Sequence, residues 1–302
     1  MIESETSVPV DKIENLFLEK HGVTLFLQRD DLLHPEISGN KWRKLKYNIK
    51  EFKSGNYSQI VTFGGAFSNH IAATAAAGHE FNIPTIGIIR GEISSKENPT
   101  LSLAKKKGMK LKFISRADYK NKNEETFLKN IQQEFPNSLI IPEGGANKSG
   151  IQGCAEITKQ SPDFDVVICP CGTGSTLTGI ISSLKENQEA IGIPVLKGAY
   201  FLQQDIEDQL TMLSCENKKW KLYFDYHYGG YAKFNEDLHE FIKVFFKNTK
   251  IKLDPIYTGK MMSGLYDLIA KNRLNNKRIL AVHTGGLQGV NGYENRYKKL
   301  LR

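Results

Sequence analysis

The stretch Val166-Val167-Ile168-Cys169-Pro170-Cys171-Gly172-Thr173-Gly174-Ser175-Thr176-Leu177-Thr178-Gly179 decides the fold class. Val166 to Cys169 is apolar without alternation, the pattern of a strand buried on both faces. A run of Gly, Ser and Thr follows and opens a helix. Together they form a cradle of backbone amides and hydroxyls that suits a phosphate group. No lysine follows the glycines, so this is not a Walker loop. Gly172, Gly174 and Gly179 also lack the spacing of a dinucleotide fingerprint. Two early glycines with Thr173, Ser175, Thr176 and Thr178 exceed what a structural turn needs.

The same strand-loop-helix rhythm runs outward in both directions. Strands are expected at Val23–Gln28, Gln59–Phe63, Thr85–Ile89, Lys110–Ile114, Ser138–Ile141, Pro194–Tyr200 and Arg278–Val282. Helices are expected at Trp42–Ser54, Asn69–Phe81, Thr100–Lys107, Asn123–Glu134, Gly150–Lys159, Thr176–Glu186, Glu236–Lys247 and Lys260–Lys271. Such alternation implies an α/β protein with mainly parallel sheets covered by helices on both faces. The 302 residues suit two α/β lobes. With no repeat, low-complexity tract or linker, a second domain must be inserted into the first.

Composition narrows the function. Lys plus Arg number 41 against 33 Asp plus Glu, a net charge of +8. The excess is scattered over Lys105–Lys107, Lys120–Lys122 and Lys298–Arg302, which reads as solvated surface and not as a nucleic-acid stripe. Cys154, Cys169, Cys171 and Cys215 lack metal or redox spacing and read as free thiols. Residues 1–10 are polar and acidic, without the apolar centre of a signal peptide, and no run reaches membrane-span length. A cytoplasmic protein is therefore expected, with no metal and no membrane partner.

Four further segments carry polar groups. In Ser38-Gly39-Asn40-Lys41-Trp42-Arg43-Lys44, Asn40 suits a helix cap. A lysine at a helix start opposes the macrodipole, which lowers its pKa and favours a nucleophilic amine. Lys44 follows one turn later, placed to meet an anion. Phe63-Gly64-Gly65-Ala66-Phe67-Ser68-Asn69-His70 leads into an alanine-rich helix whose free N–H groups suit a carboxylate or phenolate. Leu253-Asp254-Pro255-Ile256-Tyr257-Thr258-Gly259-Lys260 and Val282-His283-Thr284-Gly285-Gly286 complete the set. Taken singly, the lysines read equally as a solvated basic helix, Ser68 and Thr258 as caps, and Tyr257 as a core aromatic.

The ordered set resembles the 1-aminocyclopropane-1-carboxylate deaminase / D-cysteine desulfhydrase family, pyridoxal-phosphate enzymes of the tryptophan-synthase β fold type. The resemblance runs from about Leu27 to about Gly289 and includes Arg29-Asp30-Asp31 ahead of the lysine segment. It implies that Lys41 is the Schiff-base lysine and shuttles the substrate's α-proton. Lys44 and the loop Gly172, Thr173, Gly174, Ser175 and Thr176 would hold the cofactor phosphate, and Asn69 its phenolic oxygen. Ser68, Asn69 and His70 would face the substrate, with Ser68 as a carboxylate contact, nucleophile or proton relay. Tyr257 and Tyr231 would be active-site tyrosines and Thr258 a partner of the pyridine nitrogen. Deaminases that open the cyclopropane ring carry glutamate after this tyrosine, so Thr258 points to β-elimination.

The resemblance thus implies a fold-type-II architecture. Residues 1–47 and 158–302 would form a larger cofactor-binding domain, and residues 48–157 a smaller inserted α/β domain. The implied reaction is β-elimination of a small amino acid, foremost D-cysteine to pyruvate, ammonia and sulfide. Ring opening of the cyclopropane acid to 2-oxobutyrate, or non-catalytic cofactor binding, are the rivals. A homodimer is expected.

Overall fold

The computed structural model describes residues 8–92 and 98–287; the terminal glycine of the resemblance, Gly289, lies outside them. Among the described residues there are ten strands: β1 Val10–Ile13, β2 Thr24–Gln28, β3 Gln59–Gly65, β4 Thr85–Arg90, β5 Lys110–Ile114, β6 Ser138–Ile141, β7 Val166–Cys171, β8 Glu189–Pro194, β9 Lys219–Leu222 and β10 Arg278–Val282. The α-helices are α1 Leu16–Lys20, α2 Asn40–Ser54, α3 Asn69–Phe81, α4 Pro99–Lys106, α5 Arg116–Lys120, α6 Glu125–Glu134, α7 Lys148–Cys154, α8 Ser175–Ser182, α9 Phe201–Met212, α10 Glu236–Thr249 and α11 Thr258–Ala270.

The strands form two sheets. One has six strands in the order β1-β2-β10-β7-β8-β9, and the other four in the order β5-β4-β3-β6. Every pairing is parallel except β1 with β2. All strands of the smaller sheet come from residues 59–141, and those of the larger sheet come from both sides of that span. The α/β fold class and mainly parallel sheets read from the sequence are what the structure has.

Packing follows the two-residue period of the strands. Val166, Ile168, Ile279 and Ala281 point into one core with Phe245 of α10 and Met261, Met262 and Leu265 of α11. Val167, Cys169, Leu280 and Val282 point into the other, with Leu177 and Ile180 of α8 and Leu202 and Ile206 of α9. The smaller sheet is covered the same way. Ile60 and Leu139 meet Leu45 and Ile49 of α2 and Ala73 and Ala76 of α3. Val61 and Phe63 meet Tyr119 of α5 and Ile131 of α6. Alanines let α3 lie close to the sheet; every residue from His70 to Gly78 is buried.

Some boundaries differ from expectation. The strand expected at Pro194–Tyr200 is β8, Glu189–Pro194, because a proline lacks the N–H that would continue the ladder. The helix expected to run to Glu186 ends at Ser182. Strands β1 and β9 and helices α1, α5 and α9 carried too little periodicity to be read. Among the described residues no helix is long and apolar enough to cross a membrane.

Candidate active site

The loops after β2, β3, β7 and β10 carry four of the segments singled out in the sequence, at the carboxyl ends where parallel α/β sheets place their ligands, and the fifth, Leu253–Lys260, leads into α11. Buried ion pairs fix the lysine helix. Asp30, with no exposed surface, takes a bidentate pair from Arg43 at 2.9 and 3.0 Å. Asp31 is gripped by Arg29 at 2.9 and 2.8 Å. At Gly39, φ is +66° and an added Cβ would stand 1.9 Å from the Thr284 carbonyl oxygen. Only glycine allows this approach, through which the Asn40 amide donates to the Thr284 oxygen at 3.2 Å.

Gly39, and not Asn40, occupies the cap position of α2. The Asn40 side chain instead donates to Thr176 Oγ1 at 2.9 Å and accepts from Lys41 Nζ at 3.3 Å. Burial, with the neighbouring charge of Lys44, lowers the Lys41 amine to about 7. The macrodipole argument gave the same sign, but burial is the larger cause. Lys44 is 2 % exposed and donates to the Gly144 carbonyl at 2.9 Å and to Ser175 Oγ at 2.8 Å. Ser175 also meets Thr173 Oγ1 at 3.1 Å. Among the described residues no carboxylate lies within ion-pairing distance of Lys44. The nearby thiol of Cys154 is pushed up by burial, so it supplies no charge either. An unpaired buried ammonium facing a loop of hydroxyls at a helix N-terminus is an anion site.

At the start of α3, Ser68 Oγ accepts from the amides of His70 at 3.2 Å and Ile71 at 3.3 Å. Both lone pairs are engaged, so the hydroxyl has a proton to give and no place to receive one. His70 is buried. Thr62 Oγ1 donates to the Ile141 carbonyl at 2.8 Å, so His70 Nε2, 2.8 Å away, must be the donor to Thr62. That leaves His70 Nδ1 a bare lone pair, buried and without a partner among the described residues. Burial, then Lys41 and Lys44, hold the imidazole well below its ordinary pKa, so it stays neutral. Asn69 lies across from the last loop: a Cβ at Gly286 would stand 3.0 Å from its Nδ2 and 3.5 Å from Asp254 Oδ2.

Tyr257 lies beside the phosphate-type loop, its ring 3.3 Å from where a Gly172 Cβ would stand. Tyr231 meets it edge-on, with centroids 6.1 Å apart at 73°. Burial raises both phenols, Tyr257 well above the ordinary value, so both keep their protons. Thr258 is set apart. Its hydroxyl donates to Asp254 Oδ2 at 2.7 Å and accepts from the Asp254 amide at 2.9 Å, and the residue has no exposed surface. It therefore has no proton free for a pyridine nitrogen. Asp254 itself is filled by the amides of Ile256, Tyr257 and Thr258 and by that hydroxyl. Thr284, which the sequence reading quoted without a role, is 6 % exposed. Its hydroxyl makes no hydrogen bond among the described residues.

Lys41, Lys44, Asn69, Tyr257, Tyr231 and the loop Gly172–Thr176 are thus brought to one place, with Ser68 and His70 beside them. These residues fit pyridoxal phosphate: an amine near neutrality for its aldehyde, an unpaired ammonium with a hydroxyl loop for its phosphate, and an orphaned acceptor awaiting a donor. Glycine at 172 keeps clear the space a Cβ would fill against Tyr257. Sequence reasoning missed the linking role of Asn40 and the saturation of Asp254. Only the Asp-Pro pair hinted at the latter.

Known proteins agree. The family described as "Pyridoxal-phosphate dependent enzyme" matches residues 3–285. A putative 1-aminocyclopropane-1-carboxylate deaminase of Pyrococcus horikoshii is 30% identical over 97% of this chain and 93% of its own. A bifunctional D-cysteine desulfhydrase/1-aminocyclopropane-1-carboxylate deaminase of Arabidopsis thaliana, described as mitochondrial, is 30% identical over 89% of this chain and 74% of its own. The crystal structure of an ACC deaminase homologue superposes with a TM-score of 0.84 at 29% identity, covering 98% of this chain and 94% of that one. A fungal L-serine ammonia-lyase from Rhizomucor miehei, at 14% identity and a TM-score of 0.67, shares the fold. With its lysine, its anion loop and nearly its whole length accounted for, the chain belongs to the pyridoxal-phosphate-dependent enzymes, in the 1-aminocyclopropane-1-carboxylate deaminase / D-cysteine desulfhydrase family.

Proposed function

We propose that the chain eliminates the β-substituent of a small amino acid, with D-cysteine the best-fitting substrate, to give pyruvate, ammonia and sulfide. One observation carries this most: the buried Lys41 amine is lowered to about 7 by burial and by the charge of Lys44, while the Asp254 carboxylate beneath Tyr257 is filled by three amides and the Thr258 hydroxyl. When bound, pyridoxal phosphate withdraws electrons from the substrate's α-carbon, which loosens both the α-proton and the β-substituent. Lys44, Ser175, Thr173, Thr176 and the first amides of α8 would hold its phosphate, and Asn69 its phenolic oxygen.

The chain's own groups then divide the work. Ser68 donates to the substrate carboxylate; with both lone pairs occupied it is a ligand and not a base. Lys41 is the base at the α-carbon, since with its amine lowered to about 7 roughly half of it is neutral at pH 7. Tyr257 and Tyr231 retain phenolic protons and offer one to the departing sulfur. His70 Nδ1 takes a hydrogen bond from a substrate donor. Glutamate, which ring-opening relatives carry at the position of Thr258, is absent, and this favours a good leaving group such as thiolate. The site would lie between residues 48–157 and the two flanking segments 1–47 and 158–302, in a homodimer kept in a reducing compartment, the cytoplasm.

Ring opening of the cyclopropane acid is the second reading, favoured by the names of the Pyrococcus and Arabidopsis relatives. The test is sulfide release from D- and L-cysteine beside 2-oxobutyrate release from the cyclopropane acid, with Lys41→Ala as control. Sulfide dominating with D-cysteine, and lost in Lys41→Ala, supports the proposal. Dominant 2-oxobutyrate moves it to the second reading, and a loaded enzyme inert to all three substrates leaves non-catalytic cofactor binding.

A further inference from the structure

Lys260 lies one helical turn after Tyr257 and has no exposed surface. All three of its N–H bonds go to backbone carbonyls: Gly230 at 2.7 Å, His227 at 2.8 Å and, more loosely, Val195 at 3.4 Å. Among the described residues no carboxylate pairs with it. A buried charge with no carboxylate hydrogen-bonded to it, favoured only by the more distant Asp254, is a costly way to fill a core, and an apolar residue of the same length would do so with less penalty. The cost suggests that the charge has a task.

The carbonyls it gathers belong to an unusual turn. Tyr228, Gly229, Gly230 and Ala232 all have positive φ, at 49°, 88°, 115° and 54°, in a stretch with little regular pairing of its own. Two short backbone bonds exist, from Gly230 N to the His227 oxygen at 3.0 Å and from Lys233 N to the Gly230 oxygen at 3.1 Å, beside one from Gly229 N to His227 Nδ1 at 3.0 Å. Lys260 binds those same two oxygens. The earlier half of the turn has other anchors on α11, through Tyr226 to Asp267 at 2.6 Å and Tyr228 with Ser263 at 2.6 Å. Beyond Tyr228 those anchors stop. The next polar tie to α11 before Tyr231 is the ammonium on Gly230.

We propose that Lys260 is a positioning residue that sets Tyr231 against Tyr257, its ammonium acting as a built-in cation for the carbonyls of the 227–230 turn. Tyr231 follows Gly230 directly, and Tyr257 sits on the same helical turn as Lys260. One ammonium therefore fixes both ends of the 6.1 Å edge-on contact. This rests on the placement of the two tyrosines in the proposed site, so the test includes a readout that needs no substrate.

In the cofactor-loaded enzyme, Lys260→Met should keep the visible cofactor band. Backbone amide exchange across residues 227–233 should rise about tenfold or more, with exchange in β7 and β10 unchanged. On the substrate that the wild type turns over, kcat should fall about 10- to 100-fold with KM moving less than threefold. In a Tyr231→Phe background the same change should cost less than twofold, because the tie no longer has a hydroxyl to place. Lys260→Ala should regain turnover and exchange protection with propylammonium, and not with potassium chloride of equal ionic strength. If Lys260→Met does not fold, this second variant decides alone. Unchanged exchange in the turn, a loss fully additive with Tyr231→Phe, or no rescue by propylammonium would each overturn the proposal. If the wild type is inert to every substrate offered, the reading of the reaction fails while the exchange result still judges Lys260.

Discussion

Replacing Lys44 by methionine should move stability and cofactor affinity in opposite directions. The ammonium is 2 % exposed, and its two acceptors, the Gly144 carbonyl and Ser175 Oγ, are both neutral. Removing such an ion from water costs several kcal/mol, and each charged-donor bond to a neutral oxygen returns about 1.5–3 kcal/mol. The balance leaves the cofactor-free protein about 1–2 kcal/mol less stable than an apolar residue of equal length would. Lys44→Met should therefore raise the melting temperature of the cofactor-free protein by about 2–3 °C. With cofactor the sign reverses. The phosphate loses a charge-assisted bond worth about 2–3 kcal/mol, which is roughly 30- to 150-fold in affinity. Thermal unfolding without cofactor and titration of the visible absorbance with added pyridoxal phosphate measure the two effects. A cofactor-free variant clearly less stable than wild type, with affinity within threefold, would refute the idea that Lys44 is held uncompensated for the phosphate.

Cofactor capture by the cofactor-free chain should depend on pH through Lys41. Because burial lowers its amine to about 7, the neutral nucleophile grows from pH 6 to 8 and the capture rate then levels off. A stopped-flow absorbance series still climbing tenfold per unit between pH 8 and 9.5 would mean an ordinary lysine. Gly39→Ala should remove about 3 kcal/mol or more and abolish cofactor binding together, since its methyl would meet the Thr284 carbonyl at 1.9 Å with φ at +66°. An unaltered melting temperature would count against that.

The parts of the site legible in the sequence are those built from local backbone chemistry. Gly172–Thr176, Ser68–Asn69 and Lys41 sit where an apolar strand gives way to small residues, and that signal needs no knowledge of neighbours. What could not be read depends on which way a side chain turns. Thr258 opens a helix after a loop and Thr284 follows a strand, and both are hydroxyls beside small residues. Only the fold turns the first into Asp254 and leaves the second without a hydrogen bond among the described residues. The acceptor state of His70 is set by Thr62 and Ile141, residues on two neighbouring strands. Lys260 reads from the sequence only as the start of a helix, because nothing nearby in sequence announces three carbonyls arriving from elsewhere. The sequence places β8 a few residues late because Val195 and Leu196 carry apolar character past the proline that ends the strand.

The bond from the Asn40 amide to the Thr284 carbonyl ties together points near opposite ends of the described chain. The chain must therefore be synthesised through Thr284 before this closure can form, and loop-closure entropy makes such distant contacts slow to form. Cofactor capture is then a late event in the maturation of the nascent chain. Fragments ending before Thr284 would emerge with Lys41 unable to hold its partner, and a yellow colour appearing during synthesis would time the last step of assembly.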